Sequence, residues 1–356
     1  MAGETVLVTG GTGYVAGWCI AGLLQQGYQV RTTIRSPRRE QAVRAAVATQ
    51  AGPDSQGGPD SQGGPGSRLS FAVADLTADQ GWDEAVAGCA AVLHVAAPLG
   101  ESAEAADLIT PARDGALRVL AAAHRAGVPR VVMTSAANAA SPSSYQDNGV
   151  TDETLWTDPD DPSLIPYRRA KTLAERAAWD FAASHADGRT TLTTILPGAV
   201  LGPVLDPAHP GTASIMARML AGRMRAAPRI SLEVVDVRDI ADIHIRAMTS
   251  PAAAGERFLA TGELMSMREI AAVLRDGLGD AAARTPTREL PDAAVRFAAR
   301  FLDPSLRGVL PGLGRRNRHS TQKARNLLGW QPRPAAETVL DCARSLIGHG
   351  LIPATA

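Results

Sequence analysis

The sequence has no excess charge of either sign, since 36 Lys and Arg residues balance 36 Asp and Glu residues over 356 positions. A surface built for nucleic acid or an anionic membrane carries a basic excess, so the balance argues against a polyanion as the main partner. Cysteine is scarce. Cys19, Cys89 and Cys342 lie far apart with no paired spacing, which leaves neither a disulfide framework nor a zinc site and reads as three small buried apolar residues. No stretch approaches the ~18 consecutive apolar residues of a membrane span, and Met1 to Glu4 carries no basic region ahead of an apolar one. Neither a span nor a secretory signal is expected, and the expected location is cytoplasmic. Lysine stands only at 171 and 323, every other base being arginine, so a lysine kept against that background is expected to be needed as lysine.

A hydrophobic content of 45% is enough to build a core, and the length suits about two domains by the rough 150-residue scale. Thr5 to Val8 is a short apolar run, Val15 to Gln26 has helical periodicity, and Gln29 to Ile34 reads as a strand, which together make the β-α-β opening of a parallel sheet. Further strand-like runs at Leu69 to Val73, Ala90 to Val95, Arg130 to Thr134 and Thr191 to Leu196 are separated by Ala-rich stretches long enough for crossover helices. The expected class is α/β, a Rossmann-type doubly wound parallel sheet with a smaller, mostly helical C-terminal substrate lobe. The dinucleotide-binding domain is expected over 1–197, with 231–250 returning to it; 198–230 and 251–356 form the other lobe. Within the first domain, 51–66 contains Pro-Asp-Ser-Gln-Gly-Gly twice in tandem without an apolar anchor, and is expected to be a flexible surface insertion.

Directly after the first strand stands Thr9-Gly10-Gly11-Thr12-Gly13-Tyr14-Val15-Ala16-Gly17. Glycine there permits positive φ and lets main-chain N–H groups approach a pyrophosphate at the N-terminus of the following helix. The spacing differs by one residue from the Gly-x-Gly-x-x-Gly fingerprint, but its place between strand and helix makes it a dinucleotide signature. Enzymes that take NAD carry an acid at the end of the second strand for the ribose 2′-hydroxyl. Here Arg35 stands instead, with Arg31, Arg38 and Arg39 nearby, which favours a 2′-phosphate and hence NADP(H). The bland alternative is a solvated basic helix start. Asp75, after the third strand, is placed to meet the adenine edge or to cap a helix.

In Pro166-Tyr167-Arg168-Arg169-Ala170-Lys171 the tyrosine and lysine are four apart on a helix that Pro166 can start, so both face one way. An ammonium and an oxidised nicotinamide both favour the phenolate, and so are expected to pull the phenol down from its ordinary pKa near ~10 towards neutral pH. These residues resemble the extended short-chain dehydrogenase/reductase family, within it the dihydroflavonol-reductase-like branch of NADPH-dependent aldehyde and ketone reductases. The resemblance spans nearly the whole chain: Val8 to Gly17, Val30 to Arg35, Val92 to Pro98, Tyr167 to Trp179, Leu196 to Pro203, Val235 to Ala241, and Ser320 to Ala324 with Leu328-Gly329-Trp330.

The resemblance implies that Thr9, Gly10, Thr12, Gly13, Tyr14, Val15, Arg35, Asp75, Leu76, Ala96, Tyr167, Lys171, Pro197, Gly198 and Val200 contact the cofactor, with Pro197 near the nicotinamide. Catalysis would rest on Tyr167, Lys171 and a serine. The family places that serine second in a Thr-Ser-Ser run, whereas this chain reads Thr134-Ser135-Ala136-Ala137-Asn138. Either a bulge turns Ser135 to the substrate carbonyl, or Asn138 or Ser141 supplies the donor. The implied activity is reduction of a ketone or aldehyde, and the assembly expected is a monomer or homodimer; apolar Leu99, Val204, Leu205, Phe297 and Phe301 either meet a hydrophobic small-molecule carbonyl substrate or are plain core. A nucleotide-sugar epimerase or dehydratase would share the Tyr and Lys but usually keeps NAD; a dinucleotide-sensing regulator would not need a proton donor. His94 reads as a core or cofactor-adjacent residue, the other histidines show no metal spacing, and Asp236 and Asp239 read as helix-fixing residues.

Overall fold

The computed structural model describes residues 3–51, 68–97, 105–145, 148–302 and 310–352. The tandem repeat of 53–66 and Leu99 lie outside them. In chain order the first half comprises β1 (Thr5–Val8), α1 (Tyr14–Gln25), β2 (Gln29–Ile34), α2 (Glu40–Ala51), β3 (Leu69–Val73), α3 (Trp82–Val86), β4 (Ala91–His94), α4 (Ala105–Arg125), β5 (Arg130–Thr134), β6 (Val150–Thr151) and α5 (Pro166–Ser184). There follow β7 (Thr191–Pro197), β8 (Ala199–Leu201), α6 (Ser214–Leu220), β9 (Ala227–Pro228), β10 (Ser231–Asp236), α7 (Val237–Thr249), β11 (Arg257–Ala260) and β12 (Glu263–Ser266). The chain closes with α8 (Met267–Leu278), β13 (Glu289–Leu290), α9 (Asp292–Phe301), β14 (Arg318–His319), α10 (Gln322–Leu328) and α11 (Ala335–Gly348).

Seven strands form one sheet in the order β11-β7-β5-β4-β1-β2-β3, every pair parallel. Parallel strands covered by helices on both faces are buried throughout, which is why β4 and all but the first residue of β7 are buried without alternation. One face packs α1 and α7 through Ile20, Leu24, Ile240 and Ile243; the other packs α3, α4 and α5 through Trp82, Val119, Leu120 and Ala178. The order turns back at β1, with β2 on one side and β4 on the other, so the ends of β1 and β4 open the crevice in which this class of sheet binds ligands.

A smaller sheet, β12-β10-β8, packs with α6, α8 and α11 around Met216, Met219, Leu274, Val339 and Cys342. Two strands fall differently from the sequence reading. β11, expected in the second lobe, is an edge strand of the large sheet, while β10, expected to return to the first, joins the small sheet. Only α7 of 231–250 goes back, lying against α1. Asp236 caps α7, accepting from the Arg238 N–H at 2.8 Å, and Asp239 accepts from Arg333 N and Nε at 2.8 and 3.0 Å. These acids therefore fix a helix and its C-terminal neighbour, as read from the sequence. All three cysteines are free and buried.

Candidate active site

The glycine turn follows from local geometry. Gly10 has φ of +76°, and a Cβ there would lie 2.9 Å from the Ala96 Cβ, so the backbone after β1 approaches that after β4 more closely than any side chain allows. The Gly10 N–H donates to Thr33 Oγ1 at 2.8 Å, and the Gly13 N–H to the Gly10 carbonyl at 2.8 Å. Thr9 Oγ1 receives the Ala96 N–H at 3.0 Å and meets His94 Nδ1 at 2.9 Å. Burial drives the His94 pKa down to about 3, helped by the charge of Lys171, so this histidine is neutral and part of the strand framework. Gly13 stands at the N-cap of α1 with no side-chain cap and no acid in the first turn. Among the described residues no side chain caps this helix start, so the N–H groups of Tyr14 and Val15 point outward to meet an anion, which the helix dipole favours. Thr12 flanks the same opening.

Arg35 is exposed at the end of β2, as are Arg38 and Arg39, and none of the three forms an ion pair among the described residues. Arg31 lies elsewhere: its Nη1 donates to the carbonyls of Glu84, Ala85 and Ala87 at 3.1, 3.0 and 2.7 Å, which commits it to the end of α3. Asp75 closes a turn, its Oδ1 accepting from the Thr77 N–H and hydroxyl at 2.8 and 2.7 Å. Those bonds hold its carboxyl below the usual carboxylate range, and the charge of Arg35 acts the same way, so the two residues share one corner. Leu76 beside it packs on Gly115 of α4.

Pro166 starts α5, whose N-cap is Ile165, and the helix carries Tyr167 and, one turn on, Lys171, which reaches the end of β5. Lys171 Nζ donates to the Thr134 carbonyl oxygen at 3.4 Å. Burial lowers its pKa to about 8, against the opposing charge of Glu175. Burial pushes the Tyr167 phenol up to about 12. The sequence reading had Lys171 pull it down; without the positive nicotinamide, desolvation wins and the phenol holds its proton. Ser135 does not turn to the solvent side. Its hydroxyl donates to Glu175 Oε2 at 2.6 Å, within the protein. Ser141 is engaged as well, its Oγ 2.7 Å from the Ala137 carbonyl and 2.9 Å from His319 Nε2. Asn138 is half-buried, and its Oδ1 accepts from the Tyr145 hydroxyl at 2.8 Å.

Pro197 ends β7, and Gly198 lies so close to the Glu233 carbonyl that no Cβ fits between them. Val200 follows in β8, paired with Val235. The chain thus crosses from the large sheet to the small one beside the crevice. Of the apolar residues expected to meet a substrate, Val204 is buried in the lobe core, Leu205 lies against Gly17, and Phe297 and Phe301 are 57% and 63% exposed on α9. The sequence reading missed Glu175. It stands four residues after Lys171 on the same helix face, which was the available signal.

A glycine turn at a sheet switch point, an uncapped helix start and a Tyr-Lys pair at the next strand ends define a dinucleotide-binding α/β enzyme. The chain belongs to the NAD dependent epimerase/dehydratase family, which matches residues 6–260. It is similar to the dihydroflavonol 4-reductase of Zea mays, 32% identical over 312 residues, 84% of this chain and 82% of that protein. It is also similar to cinnamoyl-CoA reductase 1 of Arabidopsis thaliana, 33% identical over 73% of this chain and 71% of that one. The fold is that of yeast methylglyoxal/isovaleraldehyde reductase Gre2, solved with NADPH, at a TM-score of 0.78 and 22% identity over 98% of this chain and 100% of that one. A UDP-glucose-4-epimerase from Stenotrophomonas maltophila, solved with NAD, gives a TM-score of 0.75 at 20% identity, covering 98% of this chain and 99% of that one. Shape alone therefore does not separate a reductase from an epimerase.

Proposed function

We propose that this protein is an NADP-dependent oxidoreductase that reduces the carbonyl of a small ketone or aldehyde to the alcohol. The observation that carries the reading is Arg35, exposed and free of described ion pairs at the end of β2, where a ribose 2′-hydroxyl would call for an acid. The sequence relatives named above are reductases, whereas the epimerase likeness is one of fold alone. The protein's groups fit the cofactor: the uncapped α1 terminus with Thr12, Gly13, Tyr14 and Val15 takes the pyrophosphate, Arg35 the 2′-phosphate, Asp75 and Leu76 the adenine side, and Thr9, Gly10, Ala96, Pro197, Gly198 and Val200 wall the crevice.

When bound, the reduced cofactor supplies hydride to the carbonyl carbon. Tyr167 delivers the proton to the carbonyl oxygen, and a phenol with pKa about 12 enters the reaction already protonated. Lys171 supplies positive charge beside the phenol, favours the phenolate that forms, and holds the ribose. The oxyanion donor is the Asn138 amide, because Ala136 has no hydroxyl and those of Ser135 and Ser141 are spent on Glu175 and on the Ala137–His319 pair. The substrate is an apolar carbonyl compound held between the crevice and the lobe of the small sheet, and the enzyme works in the cytoplasm. A panel of carbonyl compounds with NADPH and NADH, followed by absorbance of the reduced nicotinamide, tests the reading: oxidation of NADPH that depends on both carbonyl and Tyr167 supports it. Oxidation absent across the panel, with turnover of a nucleotide sugar instead, would favour the epimerase.

A further inference from the structure

We propose that Glu175 is the positioning residue that keeps Lys171 charged and in place, and that Ser135 serves the site through this carboxylate rather than at the substrate. The proposal rests on the reading of Lys171 as the charge beside Tyr167. Tyr167, Lys171 and Glu175 follow one another at four-residue intervals, so all three lie along one face of α5. That face meets the end of β5 at two consecutive residues: Lys171 Nζ donates to the Thr134 carbonyl at 3.4 Å, and the Ser135 hydroxyl donates to Glu175 Oε2 at 2.6 Å.

The carboxylate is held from four directions. Glu175 Oε1 accepts from Thr194 Oγ1 of β7 at 2.8 Å, from Arg257 Nε of β11 at 2.8 Å and from Trp179 Nε1 at 3.4 Å; Oε2 also takes Arg257 Nη2 at 3.3 Å. Glu175 is fully buried. The ion pair with Arg257 and the hydrogen bonds from Ser135, Thr194 and Trp179 hold the carboxylate in one place, more donors than pairing with Arg257 alone requires. Arg257 is itself fixed by the carbonyls of Glu153 and Leu155 at 2.5 and 3.2 Å, and its guanidinium lies 3.6 Å from the centre of the Trp156 ring.

The groups around Lys171 are Glu175 one turn on along α5, His94 of β4 and the Thr134 carbonyl of β5, with Tyr167 one turn back on the helix; Arg257 of β11 stands behind Glu175, and His244 of α7 lies on the other face of the sheet at the Thr134 hydroxyl. Burial keeps both histidines neutral. Glu175 is the acid of this set, and it opposes the desolvation that lowers Lys171. Without it, the ammonium would keep the neutral His94 imidazole and the Thr134 carbonyl, with an unpaired Arg257 guanidinium behind them.

The chain's two lysines make the test direct. Trace labelling with acetic anhydride across pH, read by mass spectrometry, titrates Lys171 with Lys323, ion-paired to Glu256, as internal reference. Glu175→Gln is expected to move the Lys171 titration down by about one pH unit while Lys323 stays in place. Glu175→Asp, which keeps the charge, is expected to restore most of the shift, and the alkaline limb of kcat/KM should move with the label in each variant. A Lys171 titration unmoved in Glu175→Gln, or moved as far in Glu175→Asp, would overturn the proposal. Should Glu175→Gln fail to fold because Arg257 is left unpaired, the double variant Glu175→Gln/Arg257→Gln leaves no lone buried charge and is expected to move the Lys171 titration down by less, because a more distant positive charge leaves with the carboxylate; no movement there would equally overturn the proposal. Labelling needs no substrate, so its failure is distinct from failure of the reductase reading, which would show as the absence of Tyr167-dependent NADPH oxidation in the parent.

Discussion

The Tyr14 hydroxyl donates to the Gly202 carbonyl oxygen at 2.8 Å, so the first residue of the helix behind the glycine turn also holds the loop that follows β8. Trp18, one turn on, adds a bond from Nε1 to the Pro203 carbonyl at 2.9 Å. The cofactor end of α1 and a wall of the second lobe are thereby one unit. Tyr14→Phe keeps the ring and removes the bond. We expect KM for the carbonyl to rise several-fold, NADPH affinity to change little, and stability to fall by about 1 kcal/mol in a denaturant titration. Weakened NADPH binding with unchanged KM would contradict the coupling.

Arg35→Glu replaces an exposed guanidinium with the acid that a 2′-hydroxyl prefers. Charge-assisted bonds to phosphate are worth about 1.5–3 kcal/mol, so NADPH affinity should weaken by roughly one to two orders of magnitude while NADH gains. Fluorescence titration of both cofactors checks it; equal loss for the two would point to a folding effect instead.

Tyr167→Phe should bind NADPH normally and reduce carbonyls about 10²- to 10⁴-fold more slowly, the usual cost of losing a general acid. Asn138→Ala is expected to lower kcat by about 10²-fold through the oxyanion. Ser135→Ala should cost less turnover than either, because its hydroxyl faces Glu175. A ranking with Ser135→Ala as severe as Tyr167→Phe would return the serine to the substrate.

The pH dependence of reduction follows from two groups. The phenol stays protonated up to about 12, and Lys171 is charged below about 8. Activity should hold at neutral pH and decline as pH rises through 8. A flat kcat/KM profile from pH 7 to about 10 would be inconsistent with a required ammonium.

Two buried histidines set the acid stability. Burial lowers His94 to about 3 and His244 to about 4 from an ordinary 6.5. Between those values and 6.5 the unfolded chain binds protons that the folded chain refuses, so stability is lost as pH falls through that window, by about 1.4 kcal/mol per pH unit for each histidine. Urea midpoints between pH 4 and 7 should show the slope, and His244→Asn should reduce it.

The large sheet was legible because its strands announce themselves as short apolar runs between Ala-rich helices: Leu69 to Val73 and Arg130 to Thr134 have the same limits in the sequence and in the fold. The glycine turn, Arg35 and the Tyr167–Lys171 spacing were legible too, because each depends on residues a few positions apart on one strand-helix unit. Partnership across elements was not. Arg31 and Arg35 look alike in the sequence, and their even separation gives them the same side of the strand, yet the end of α3 takes Arg31 onto its carbonyls while Arg35, past the end of β2, is left exposed. The same holds at β5. Thr134 and Ser135 are neighbours that must point to opposite faces of the sheet; the sequence determined that they would part, and only the packing of α7 on one face and α5 on the other decided that Thr134 meets His244 while Ser135 meets Glu175.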